Sequence, residues 1–116
     1  MGNRLPCYLR TYRRRSGLTQ GELDFLLGSG GGSKTCRYEG LSRIPELASA
    51  LALQVVFDVP VHELFPGILI SVEDDVINRA HQLIASLQGR TADPRVRQKL
   101  RFLYEITARG AGPRPQ

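Results

Sequence analysis

The residues Gly28 to Thr35, GSGGGSKT, concentrate more chemistry than any other stretch of the chain. Glycines followed by Lys-Thr suggest a phosphate cradle: backbone amides wrap the phosphate, the lysine reaches its outer oxygens and the hydroxyl holds magnesium. That loop needs a glycine directly before its lysine, so that the backbone can approach the phosphate, and here Ser33 precedes Lys34. It also needs a strand leading in and several strand–helix units around it. The residues ahead of Gly28 have helical spacing instead. A second segment, Val55 to Asp58, mimics the apolar strand that ends in a magnesium-binding aspartate, but it continues the helical stripe from Leu47. Nucleotide binding is set aside, and the glycine run is read as a turn that permits positive φ and close approach of two helices.

No other residues assemble catalytic chemistry. His62 and His81 are isolated, and Glu22, Asp24 and Glu63 form no carboxylate pair suited to acid–base work. The two cysteines, Cys7 and Cys36, form no CxxC motif and read as free thiols, Cys7 as a small core residue. Cys36 has no resolving partner nearby in sequence. The expectation is a protein without catalysis, cofactor or metal. The 116 residues suit one domain plus an extension, with no apolar run long enough to span a membrane and no signal core, so a cytoplasmic protein is expected. Net charge is +5, and fourteen of the sixteen basic residues are arginine. Arginine meets phosphate as a planar fork, which leans the chain toward nucleic acid.

Apolar spacing and stop signals divide the chain into helices, with no alternating strand pattern. Leu5, Leu9 and Tyr12 form one stripe, stopped at Arg13-Arg14-Arg15-Ser16-Gly17. Thr19 and Glu22 form a capping box for a second helix, Thr19 to Leu27, with Leu23, Leu26 and Leu27 facing inward. A turn, Gly28 to Gly31, leads to a third helix, about Gly32 to Glu39. Pro45 opens a fourth helix at its first turn, with Leu47, Leu51 and Val55 on the core side. Pro60 opens a fifth, carrying Val61, Leu64 and Phe65 and stopped by Pro66-Gly67. Ser71 is expected to cap a sixth helix whose inward face is Val72, Val76, Ala80, Leu83 and Leu87, widened by Ile77 and Ile84. Asp93-Pro94 starts the last helix, with Val96, Leu100, Leu103 and Thr107 in line, flanked by Phe102 and Tyr104. The tail 111–116 is expected to be disordered.

The segments LRTYRRRSGLTQGELDFLLG, SKTCRYE, PELASALAL and VPVHELFPG, at this spacing, resemble the phage repressor and Cro-like (Xre-type) helix-turn-helix transcriptional regulators. The likeness runs from about Leu5 to Gly67. It implies a five-helix DNA-binding domain over residues 1–67; the last two helices, outside the family pattern, are expected to form a C-terminal helical hairpin at 68–110, so that the whole fold is all-α. It implies that the third helix enters the major groove of double-stranded DNA. By position Gln20 touches the DNA backbone, and Ser33, Lys34 and Arg37 lie on the reading helix with Cys36 beside them. Arg37 is the expected guanine reader, because its fork matches O6 and N7 together. Lys34 and Arg43 are the expected phosphate contacts. Arg13 and Glu39 match a structural ion pair between the first and third helices of some relatives.

The chain departs from the family at three points. Gly32 and Ser33 replace larger polar side chains. Thr35 stands where relatives bury Val or Ile, so its hydroxyl needs a local backbone acceptor. The turn is one residue longer and glycine-rich, which should loosen the third helix. The reading is a sequence-specific DNA-binding regulator acting as a homodimer on two half-sites. The alternative is an antitoxin-like interaction module whose hairpin binds a small protein partner, with DNA binding secondary or autoregulatory.

Overall fold

The computed structural model describes residues 7–110, and every regular element in them is helical, with no strand. In order these are α1 (Leu9–Ser16), α2 (Gln20–Leu26), α3 (Ser33–Glu39), α4 (Leu47–Phe57), α5 (Val61–Leu64), α6 (Pro66–Leu87), a 3-10 turn (Gln88–Arg90) and α7 (Pro94–Gly110). The chain forms two compact units, one ending at Leu69 and one beginning at Ile70. Leu5 and the tail 111–116 lie outside the described residues.

The first unit closes around Leu9, Leu23, Tyr38, Leu53, Leu64 and Phe65, with Cys7, Tyr12, Leu27, Val56 and Phe57 among the side chains packed on them. Local signals position these residues. Gly17 ends α1 in the left-handed region at φ 81°, and its N–H donates to the Arg14 carbonyl. The capping box opens α2: the Glu22 amide donates to Thr19 Oγ1 at 3.0 Å, and the Thr19 amide donates to Glu22 Oε1 at 2.9 Å. The Tyr8 amide donates to the Leu64 carbonyl at 2.9 Å, fastening the start of α1 to α5.

Several boundaries and faces differ from the sequence reading. In α2 the inward positions are Gln20, Leu23, Asp24 and Leu27, and Leu26 is exposed. A carboxylate occupies the slot that an apolar count gives to leucine. The fourth helix begins at Leu47, with Glu46 at its N-cap, so Pro45 precedes the helix. Its core residue is Leu53, while Leu47, Leu51 and Val55 are 74%, 46% and 80% exposed. The segment LASALALQVVF is apolar nearly all round, so periodicity cannot choose its buried side. Finally, α6 starts at Pro66 and Ser71 lies inside it. Proline has no amide to leave unpaired, so it stops α5 and serves as the first residue of α6.

In the second unit the seam is Ala80, Ile84 and Leu87 of α6 against Val96, Leu100 and Leu103 of α7, with Ile106 packed on it. Val72, Val76 and Leu83, expected inside, stay substantially exposed, because a second apolar stripe lies about a quarter-turn around α6 and takes the seam. Asp93 caps α7 by accepting from the Arg95 amide at 2.8 Å.

The glycine run builds one tight corner. Gly28, Gly31 and Gly32 have φ of 88°, 89° and 85°. At Gly32 the α3 start also presses on α2: an added Cβ would lie 3.1 Å from the Gly21 nitrogen and 3.2 Å from Gln20 Cβ. The left-handed backbone alone costs a side-chain-bearing residue about 1–2 kcal/mol. Gly32→Ala is therefore expected to lose roughly 2 kcal/mol or more in urea unfolding. Gly30→Ala, with ordinary φ and open space around it, should change stability by less than about 1 kcal/mol. Equal losses at both positions would contradict this account of the corner.

Candidate nucleic-acid interface

The seven residues of α3 divide into two faces. Thr35 and Tyr38 are fully buried, while Ser33, Cys36 and Arg37 are exposed and Lys34 is half-buried. Ser33, Cys36 and Arg37 follow the i, i+3, i+4 rule and share one outward surface. Among the described residues the guanidinium of Arg37 and the ammonium of Lys34 make no hydrogen bond or ion pair.

Two buried carboxylates hold α3 in this orientation. The first is Asp24 of α2, fully buried. It accepts from the Thr35 amide at 2.8 Å, the Thr35 hydroxyl at 2.5 Å and the Lys34 amide at 3.3 Å. These are first-turn amides with no partner inside α3, so Asp24 caps the helix from another helix. The N-cap residue itself is Gly32, which has no side chain to do so. The hydroxyl of Thr35 thus finds its acceptor in a distant side chain, not in local backbone. Burial is the largest single influence on the Asp24 carboxyl and would raise it, but the Thr35 hydroxyl and the Thr35, Lys34 and Gly32 amides together hold it below the usual range.

The second is Glu39, the last residue of α3, whose side chain is fully buried. Arg13 of α1 reaches it through Nε at 2.5 Å and through a terminal nitrogen at 3.3 Å. Arg10 adds a contact at 3.3 Å and Gln20 donates its amide at 3.1 Å. Arg13 also donates to the Leu18 carbonyl at 2.9 Å. Burial again pushes the Glu39 carboxyl up, and the Arg13, Gln20 and Arg10 hydrogen bonds outweigh it and leave it lowered. Arg13 and Glu39 are thus brought together across α1 and α3.

The other sequence-derived candidates fall in different surroundings. The Gln20 side-chain amide is committed to Glu39. Arg43 lies 3.6 Å from Glu46 in a partly exposed ion pair. Arg15 stacks over the Tyr12 ring at 5.9 Å. Cys36 is an exposed free thiol. Sequence reasoning missed the anchoring roles of Asp24 and Arg10, and it put Gly32 inside the third helix, where the structure makes it the N-cap. One signal pointed to Asp24: it sits four residues after Gln20, on the inward stripe of α2, and Thr35 needed an acceptor.

Among the described residues no group of three His, Cys, Asp or Glu side chains could hold a metal ion, and no helix is long and apolar enough to cross a membrane. Comparison of the chain with family models, with curated proteins and with solved structures finds no match.

Because both carboxylates titrate below their ordinary values, about 3.9 for aspartate and 4.3 for glutamate, the unfolded chain binds more protons than the folded one in that range. Their stabilisation is complete above those values and is lost as pH falls through the lowered folded ones. Asp24→Asn should cost about 2 kcal/mol at neutral pH, since charge-assisted hydrogen bonds are lost. It should also flatten the decline of stability between about pH 5 and 3, Glu39 supplying what remains. An unchanged acid limb in the variant would contradict the assignment of Asp24.

Proposed function

We propose that the chain is a repressor-like helix-turn-helix protein that binds double-stranded DNA for transcriptional control. In this reading α2, the glycine corner and α3 form the reading unit, and α3 enters the major groove. The observation that carries it is the outward face of α3, Ser33, Cys36 and Arg37, backed by two buried anchors and free of ion pairs among the described residues. An α-helix is about 10–12 Å across with its side chains, a width that a major groove of about 12 Å admits. The motif likeness supports the same reading. So does the arginine-rich composition, which supplies phosphate contacts that release counterions.

Within it Arg37 reads a guanine edge and Lys34, half-buried beside that face, meets phosphate. Arg14, exposed at the end of α1, is a second phosphate candidate. Gln20 and Arg43 are weaker ones, since each is already engaged by a carboxylate. No catalytic step belongs to this reading. One observation favours the alternative of a protein-interaction module: Leu47, Leu51 and Val55 leave an apolar stripe exposed along α4.

Binding measured on duplexes selected from a random pool separates the roles. Arg37→Ala should weaken binding to the selected site by about tenfold or more, and binding to random duplex much less. Lys34→Ala should weaken both alike and reduce the salt slope by about one. Failure of the pool to enrich any sequence would remove the proposal in favour of the interaction module.

A further inference from the structure

We propose that the hairpin of α6 and α7 is a self-association element, and that a second copy of the same hairpin, running in the opposite direction, covers its exposed apolar face. This inference stands independently of the DNA reading.

The hairpin buries one seam and leaves a second apolar surface beside it. On α6, Val72, Val76 and Leu83 are 50%, 44% and 48% exposed, and on α7 Phe102 is 58% exposed. At 100° per residue the three α6 side chains fall within a narrow arc, as do Phe102 and Ile106 on α7. Two shallow grooves tie the helices together on this side. Val72, Val76, Ile77 and Ile106 line one, edged by Glu73 and Arg109, and Leu83, Leu87, Phe102 and Leu103 line the other, edged by Lys99. The apolar face therefore runs the length of the hairpin. Two helices with a single seam bury little for their length, and covering this face would complete a four-helix bundle.

Charge identifies the occupant and its direction. One end of the hairpin carries Glu73, Asp74, Asp75 and Glu105 against Arg109. The other carries Arg90, Arg95, Arg97, Lys99 and Arg101 against Asp93. Whatever local pairs form within an end, the first is net negative and the second net positive. A second copy packed in the same direction sets like ends together within a Debye length of about 10 Å. A reversed copy sets each negative end against a positive one, and such complementarity fixes partner orientation. Arg79, one turn from Asp75 on α6, offsets part of the first end's charge and leaves that end net negative.

The test is sedimentation of the full chain over a range of concentrations and salt. A reversible dimer is expected, with its dissociation constant rising about tenfold as salt increases from about 0.05 to 0.5 M. Val76→Lys with Leu83→Lys should leave the chain monomeric with unchanged helical circular dichroism, since both side chains already reach solvent. Glu73→Lys with Asp75→Lys should weaken the dimer, as should Arg95→Glu with Lys99→Glu, and combining the two reversals should restore it. This rescue separates the orientation from any loss of folding. A chain that stays monomeric at every concentration, a dimer strengthened by salt, or single-end reversals without effect would overturn the proposal.

Discussion

The orientation of α3 depends first on the buried charge at its N-terminal end. The Asp24 carboxylate takes two first-turn amides of α3 and the Thr35 hydroxyl, all from a neighbouring helix. A seven-residue helix buries little surface and has a weak intrinsic tendency to form, so its position must come from tertiary contacts. The macrodipole makes its N-terminus the natural seat for an anion, and the left-handed Gly32 lets that end come down onto α2. Removing water from a carboxylate is costly unless its lone pairs are filled, so the same hydrogen bonds that stabilise Asp24 also specify where α3 must lie.

Glu39 repeats this logic at the opposite end of α3. Its charge is answered by Arg13 and Arg10 of α1 and by the amide of Gln20. With both ends held, rotation of α3 about its axis is restricted, and the buried pair Thr35 and Tyr38 fills the side away from solvent. The long glycine turn, which could have loosened the helix, becomes instead the means by which it approaches α2. The arginines divide accordingly: Arg10 and Arg13 serve the interior anchor, Arg15 covers Tyr12, and Arg14 and Arg37 are left outward.

Much of this is written locally in the chain. The capping box at Thr19 and Glu22, the stop at Gly17 and the cap at Asp93 are short-range devices, and each is found where its residues stand. What local patterns could not express is the choice between equivalent faces. The uniformly apolar α4 and the doubly striped α6 each present two defensible inward sides, and only the packing partners decide. In α2 an apolar count preferred Leu26, because Asp24 is inward for the sake of Thr35, eleven residues onward. The outward set on α3 was legible from spacing, whereas its support was not, because Asp24–Thr35 and Arg10–Glu39 join residues distant in sequence.

The most direct test of the central claim is a nuclear magnetic resonance titration of the full chain with a duplex selected from a random pool. The account predicts that the largest shifts fall on Ser33, Cys36 and Arg37 and on the Arg37 guanidinium, while the Thr35 and Leu23 amides move little and remain slow to exchange. Shifts confined to other surfaces, or loss of protection at Thr35 on binding, would contradict a rigidly held α3 as the reading element.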